Sequence, residues 1–94
     1  MTVSFSPLAE EDFAAVIGYL AERNPVAAGE LGRRIFEVID KLARGAFDGP
    51  ELTLETGDLV RSWPVPPVRV LYERHSDTLW VLRIYHQARS PMPR

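Results

Sequence analysis

Residues 58–89, DLVRSWPVPPVRVLYERHSDTLWVLRIYHQAR, decide the fold of this chain. The stretch is rich in β-branched and aromatic residues, and turn-forming residues divide it into three runs. We predict three antiparallel strands, over residues 59–65, 68–74 and 79–86. Each strand holds an arginine at an interior position: Arg61, Arg69 or Arg83. A charged side chain in the middle of a strand is uncommon, so these arginines require an explanation.

The residues before this stretch predict a short strand and a helical hairpin. Residues 3–5 alternate apolar and polar and are expected to lie beside the later strands. Ser6-Pro7 and Asn24-Pro25 each place an N-cap residue before a proline at the first helical position. Gly45 is a natural end for the second helix, and the short connection predicts an antiparallel hairpin. The apolar stripes at helical spacing are Phe13, Val16, Ile17 and Leu20, then Ala28, Leu31, Ile35, Val38, Ile39 and Leu42.

Residues 46–57 contain two turn signals, Asp48-Gly49-Pro50 and Thr56-Gly57-Asp58, and we predict a loop there, held to the core by Phe47, Leu52 and Leu54. The predicted fold class is therefore α+β, in the order β-α-α-β-β-β. The helical hairpin packs on one face of a small, mainly antiparallel sheet. With 94 residues, the whole chain 1–94 is expected to form one domain.

The register of the last two strands decides which way the arginines point. A two-residue loop at Ser76-Asp77 would mix charged and apolar side chains on both faces, whereas a three-residue loop over residues 75–77 gives one coherent apolar face. We therefore predict the three-residue loop. The side chains that it places in the core are Val68, Val70, Tyr72, Trp80, Leu82 and Ile84. Those on the opposite face are Arg69, Leu71, Glu73, Leu79, Val81, Arg83 and Tyr85.

This register makes Arg69 and Arg83 near neighbours, and Arg61 is expected to join them from the preceding strand. Like charges facing each other destabilise a sheet, so the group implies an acid of the same chain or an anionic ligand. One alternative is a solvated face on which Glu73 or Glu55 pairs with the arginines. The other is a docking face for a peptide or protein, which the apolar residues on the same face favour.

Charge and composition narrow the classes of function. Residues 1–58 carry 5 basic and 11 acidic side chains, and residues 59–94 carry 6 basic and 2 acidic ones, for a net charge of −2. A free-standing nucleic-acid binder is usually basic overall, so an acidic protein partner is the better expectation. The chain has no cysteine and no phosphate loop, dinucleotide fingerprint or zinc motif, and we expect no cofactor and no metal. No signal peptide or apolar run of about 20 residues occurs, so we expect a cytoplasmic protein.

Catalytic candidates are few. The only histidines are His75 and His86. His75-Ser76-Asp77 is not a catalytic triad, because consecutive residues on a turn cannot orient one another. His86 near Arg83 and Arg89 could act as a general acid or base, although a histidine that caps the core at a strand end is the more frequent case. The acids of the first helix are interpreted as a solvated face that favours the helix dipole.

The element order, together with LVRSWPV, VRVLY and VLRIYHQAR, resembles the RelE/ParE toxins of type II toxin–antitoxin systems, most of all the ParE branch of plasmid stabilisation (addiction) modules. The resemblance covers essentially the whole chain and is most specific over residues 85–89. It implies a growth-inhibiting toxin that a cognate antitoxin neutralises by wrapping its C-terminal segment around it. Operator DNA would be bound only through the antitoxin. The residues expected to bind the antitoxin or the target are Arg61, Arg69, Leu71, Arg83, Tyr85, His86 and Arg89.

The two branches imply different targets. ParE-like toxins inhibit DNA gyrase, a protein–protein activity without a catalytic site, and this is the predicted function. RelE-like toxins cut mRNA on the ribosome, and that alternative would use Arg61, Arg69, Arg83 and His86. The expected C-terminal catalytic arginine corresponds to Gln87 here, and the following tyrosine is missing, which weakens the alternative. A third possibility is a domain kept for complex formation or autoregulation, with little toxicity.

Overall fold

A five-stranded sheet carries two helices on one face. The computed structural model of the chain describes residues 1–87. The elements in chain order are β1 (Thr2–Phe5), α1 (Pro7–Arg23), α2 (Pro25–Ala43), β2 (Glu51–Thr53), β3 (Leu59–Val65), β4 (Val68–His75) and β5 (Thr78–His86). The spatial order is β1-β5-β4-β3-β2, and only the β1–β5 pair is parallel. The predicted α+β class and the helical hairpin on a mainly antiparallel sheet are confirmed.

Both helices begin at the predicted caps. The Ala9 N–H donates to Ser6 Oγ at 3.0 Å, and the Ala27 N–H donates to the Asn24 side-chain oxygen at 3.1 Å. The Ser6 hydroxyl also donates to the Leu82 carbonyl oxygen at 2.7 Å, so the α1 cap fixes the helix start to β5. After α2, Gly45 takes a φ of 75°, a conformation that glycine adopts at no steric cost.

The main core lies between the hairpin and the sheet. The predicted stripes of both helices face it, with Leu31, Ile35 and Leu42 almost fully buried. The sheet residues buried in this core are Val65, Val68, Val70, Tyr72, Leu79, Val81 and Ile84. Placing both stripes against one sheet face buries apolar surface that each element alone would leave in water.

The register at the β4–β5 turn differs from the prediction. His75 pairs with Thr78 across a two-residue turn, Ser76-Asp77, so the predicted three-residue loop is wrong. A β-bulge then shifts the register: Tyr72 pairs with Val81 but Leu71 pairs with Arg83, which leaves Leu82 as the extra residue. A bulge reverses the alternation of faces along its strand.

The bulge explains which face predictions were right. Val68, Val70, Tyr72 and Ile84 lie in the core as predicted. Leu79 and Val81, predicted for the opposite face, are in the core, and the placements of Trp80 and Leu82 in the core are wrong. Leu82 packs instead on a second apolar cluster. The two-residue turn therefore avoids mixed faces because one extra residue corrects the alternation halfway along β5.

The predicted loop over residues 46–57 contains a strand that the sequence analysis missed. Residues Glu51–Thr53 form β2 and pair with Arg61, Val60 and Leu59 of β3. Three residues between two turn signals are too short to show strand periodicity. Phe47 packs on the main core as predicted, stacked on Trp63 with ring centroids 4.2 Å apart, whereas Leu52 and Leu54 pack on the second apolar cluster.

A partly buried hydrogen-bond network holds the loop after α2 against β4. The Tyr72 hydroxyl donates to Asp48 Oδ1 and accepts from the Gly49 N–H at 2.8 Å. Arg74 donates to both Asp48 oxygens at 2.8 Å and to the Leu42 carbonyl oxygen at 2.7 Å. Burial, followed by the hydrogen bond to Asp48, raises the pKa of Tyr72 to about 12. Burial alone would raise the pKa of Asp48, but the hydrogen bonds from Tyr72 and Arg74 lower it below its usual value.

Candidate functional site

The three strand arginines do not form one cluster. Arg61 is directly opposite Tyr72 and therefore lies on the helix-bearing face of the sheet. Its guanidinium donates to the Gly49 carbonyl oxygen at 2.8 Å and to Glu51 at 3.2 Å, and it lies 3.6 Å from Asp48. The prediction that Arg61 joins Arg69 and Arg83 on one face is wrong. In the structure it holds the loop after α2 and the β2 edge.

Arg83 is neutralised by an acid of its own chain. Its guanidinium donates to Asp12 Oδ2 at 2.8 Å and to Oδ1 at 3.1 Å, and the Ile84 N–H donates to Asp12 Oδ2 at 3.0 Å. The hydrogen bond that Arg83 donates to Asp12 is the main cause that raises the pKa of Arg83. Asp12, interpreted from sequence as part of a solvated acidic face, instead ties α1 to β5. No local pattern signals this pair, because its members are 71 positions apart.

Arg69 lies on the sheet face that carries no helix, which we call the open face. Its Nε donates to Ser62 Oγ at 3.0 Å, and its cross-strand partner in β5 is Tyr85. Among residues 1–87, no carboxylate oxygen lies within 4 Å of the Arg69 guanidinium nitrogens. The alternative in which Glu73 or Glu55 pairs with Arg69 does not occur in this range, and Glu73 Oε1 lies 3.2 Å from His75 Nε2 instead.

The apolar residues of the open face form a small second core. Leu71 and Tyr85 were predicted binding residues, but they are buried together with Val60. Leu52, Leu54 and Leu82 pack around them. Leu71 and Tyr85 therefore offer little free surface in this structure. Of the predicted open-face residues, Arg69 is the one whose charge has no opposing carboxylate in residues 1–87.

A groove lies between α1 and the last part of β5. β1 ends at Phe5, opposite Val81, so within residues 1–87 the following part of β5 has a sheet partner on the β4 side only. The groove has a volume of about 380 Å³. Its lining residues are Asp12, Ala15, Val16, Tyr19, Leu20, Leu31, Pro67, Arg83, Ile84, Tyr85 and His86. Most of these side chains are apolar, and Asp12, Arg83 and His86 add polar groups.

The groove was not predicted as a site, although three predicted residues line it: Arg83, Tyr85 and His86. On the helix side, Val16 and Leu20 belong to the predicted apolar stripe and were assigned to the core, and Asp12, Ala15 and Tyr19 lie outside that stripe. Arg89, also predicted to bind a partner, lies outside the described residues.

The four residues predicted for ribonuclease chemistry are not all brought together, although Arg83 and His86 line the same groove. Arg61 and Arg69 lie on opposite faces, Arg83 binds Asp12, and His86 lines the groove. A catalytic site needs its groups within hydrogen-bond reach of one reacting atom. In the described range 1–87, no group of three or more His, Asp and Glu side chains could hold a metal ion.

Comparison with known families identifies the family of this chain. Residues 3–91 match the family model described as the ParE toxin of the type II toxin–antitoxin system, parDE. The chain belongs to the ParE toxin family. A solved structure described as the chromosomal ParDE TA system from P. aeruginosa matches this ParE-family chain with a TM-score of 0.75 at 19% identity. The match covers 92% of this chain and 95% of that one. Among curated proteins, no significant match is found.

The helices of this ParE-family chain are not membrane-spanning segments. Neither α1 nor α2 is long and apolar enough to cross a bilayer, and this holds for residues 1–87.

Proposed function

We propose that this chain, as a single toxin domain, is the toxin of a type II toxin–antitoxin module and that a segment of its cognate antitoxin occupies the groove between α1 and β5. The free protein then inhibits growth in the cytoplasm by acting on DNA gyrase. The groove supports the first part of the proposal, and membership of the ParE family supports the second.

The groove has the chemistry of a polypeptide site. Apolar side chains such as Val16 and Leu20 form its walls, and polar groups at Asp12, Arg83 and His86 can fix the orientation of a ligand. The strand edge beside it ends its pairing with β1 at Val81. Helices and extended segments of partner proteins bind in grooves and at sheet edges of this kind.

The pairing of arginines with carboxylates of the same chain favours a protein target over RNA. Arg61, Arg74 and Arg83 each lie within 4 Å of a carboxylate of the chain itself. RNA binding relies on several unpaired cations that contact phosphates. The net charge of −2 gives no compensating attraction for a polyanion.

Two assays test the function. Purified protein should inhibit DNA supercoiling by gyrase, and addition of an equimolar amount of the protein encoded by the adjacent reading frame should restore supercoiling. Normal supercoiling at micromolar protein, together with growth arrest in cells, would contradict the gyrase target.

The second candidate, a ribosome-dependent endoribonuclease, rests on one observation: Arg69 has no carboxylate partner in residues 1–87. Mapping of transcript ends after induction separates the two candidates, because codon-phased cuts are expected only for the ribonuclease. Antitoxin binding without either activity would identify a protein kept for complex formation or autoregulation.

A further inference from the structure

Arg69 differs from the other arginines of the sheet in its surroundings. Arg61, Arg74 and Arg83 pair with Asp48, Glu51 or Asp12. Arg69 has no acid within 4 Å among residues 1–87, although it stands in the middle of the sheet and opposite Pro64 and Tyr85. A half-buried guanidinium with no counter-ion among the described residues is available to take one from another molecule.

The guanidinium is held in a defined orientation. Its Nε donates to Ser62 Oγ at 3.0 Å, and Ser62 is only 2% exposed. The Ser62 backbone is itself fixed, because its N–H donates to the Pro50 carbonyl oxygen at 3.4 Å. With Nε engaged, the two terminal nitrogens are the donors that remain. These nitrogens form a planar fork that matches the two oxygens of a carboxylate.

A second polar group beside Arg69 also lacks a partner. The Tyr85 hydroxyl is buried, and within the described residues no hydrogen-bond partner contacts it. Burial raises the pKa of Tyr85, and the positive charge of Arg69 opposes this rise, which places the two groups in one electrostatic environment. Buried hydroxyl groups are nearly always hydrogen-bonded, so the Tyr85 hydroxyl is a second polar group of this corner of the sheet that residues 1–87 leave unsatisfied.

We propose that Arg69, oriented by Ser62, binds a carboxylate of the antitoxin, so that the antitoxin chain continues from the groove onto the open face. This inference rests on the proposed function, because it names the chemical group that the partner presents. Tyr85 connects the two surfaces: it lines the groove and is the cross-strand partner of Arg69.

A carboxylate fits this position better than the phosphates of RNA. One oriented guanidinium can neutralise one carboxylate, whereas an RNA backbone presents a row of charges that needs several cations. The neighbours of Arg69 on the open face are apolar, with Leu71, Val60 and Leu82 in one cluster. An acidic residue flanked by apolar residues is the peptide sequence that this surface complements.

The test measures the affinity of the full-length antitoxin, the protein encoded by the adjacent reading frame, for toxin variants. Arg69→Gln should weaken binding about tenfold or more, because a charge-assisted bidentate contact is lost. Arg69→Lys keeps the positive charge but not the planar fork, so its affinity for the antitoxin should lie between those of the wild type and Arg69→Gln. Arg34→Gln is the matched control, since Arg34 is exposed on α2, away from the open face. It should change affinity less than about twofold.

Ser62→Ala tests the orienting contact. It should weaken binding in the wild type but have little further effect in Arg69→Gln, since the hydroxyl acts through the guanidinium. Thermal unfolding of each variant separates loss of binding from loss of folding.

The carboxylate is located by changing each Asp and Glu of the antitoxin segment to Asn or Gln, and by amidating its C-terminus. One of these changes should lose its effect in the Arg69→Gln background, as expected for direct partners. If folded Arg69→Gln binds the antitoxin as tightly as the wild type, the inference is overturned while the proposed function stands. If the wild type binds no antitoxin, the proposed function itself fails. If Arg69→Gln loses binding to an oligoribonucleotide but not to the antitoxin, the ligand is a phosphate and the inference is wrong.

Discussion

Replacing Asp12 with alanine should destabilise the protein more than any other single removal of a helix carboxylate. Asp12 accepts three hydrogen bonds, two from the Arg83 guanidinium and one from the Ile84 N–H. Its side chain is only 17% exposed, and that of Arg83 is 34% exposed. The substitution therefore leaves a half-buried cation and a backbone donor without their acceptor.

The expected loss follows from these contacts. Hydrogen bonds to a charged group contribute about 1.5–3 kcal/mol when buried, and water reaches part of this pair, so we expect a total loss of about 2–3 kcal/mol. In a domain of this size the loss lowers the melting temperature by about 10–20 °C. Asp12→Asn keeps an oxygen for the Ile84 N–H and should lose about 1 kcal/mol less than Asp12→Ala.

The measurement is the free energy of unfolding from urea titrations followed by circular dichroism. Asp40→Ala is the matched control, because Asp40 is a second acid that pairs with an arginine, Arg44. In this pair the Asp40 side chain is 58% exposed and that of Arg44 is 70% exposed. Asp40→Ala should cost about 0.5 kcal/mol or less. Equal losses for Asp12→Ala and Asp40→Ala would refute the conclusion that the Asp12–Arg83 pair fixes α1 to β5.

Two further predictions concern the loop after α2. A Cβ at Gly49 would lie 1.8 Å from the Ser62 carbonyl oxygen, so Gly49→Ala should lower the free energy of unfolding by about 3 kcal/mol. In α2, a Cβ at Gly29 would meet no atom within 4 Å beyond the helix backbone and the adjacent residues, so Gly29→Ala should raise that free energy by about 1 kcal/mol. Urea titrations that give the two variants the same stability would contradict this difference in packing. Because the pKa of Asp48 is lowered in the folded chain, its ionised form stabilises the protein above the unfolded pKa of about 3.9, and this contribution is lost as the pH falls through the lower folded pKa. Asp48→Asn should therefore show a smaller fall in the free energy of unfolding than the wild type between about pH 5 and pH 2, and parallel curves would be inconsistent with that role.

The features that the sequence predicted correctly depend on neighbouring residues. The caps at Ser6 and Asn24, the apolar stripes and the strand positions are all determined within a few residues, and each appears in the structure as predicted. Local patterns of this kind also predicted the hairpin, because Asn24-Pro25 leaves no room for a longer connection.

The features that were missed depend on contacts between distant residues. The bulge at Leu82 has no sequence signal of its own, and it decides the faces of Leu79, Trp80 and Val81. The partners of the arginines could not be assigned either, since Arg83 pairs with Asp12 and Arg61 with the loop after α2. The predicted alternation of side chains over three strands therefore placed on one face arginines that the fold separates.

The most direct test of the proposed function compares two tryptophan substitutions on adjacent residues of α1. Ala15 lines the groove, whereas Ala14, also exposed, does not. Ala15→Trp should fill part of the groove and weaken antitoxin binding about tenfold or more, because the displaced segment loses its apolar contacts. Ala14→Trp should leave the affinity within about twofold of the wild type. Wild-type affinity for a folded Ala15→Trp variant would contradict the claim that the antitoxin occupies this groove.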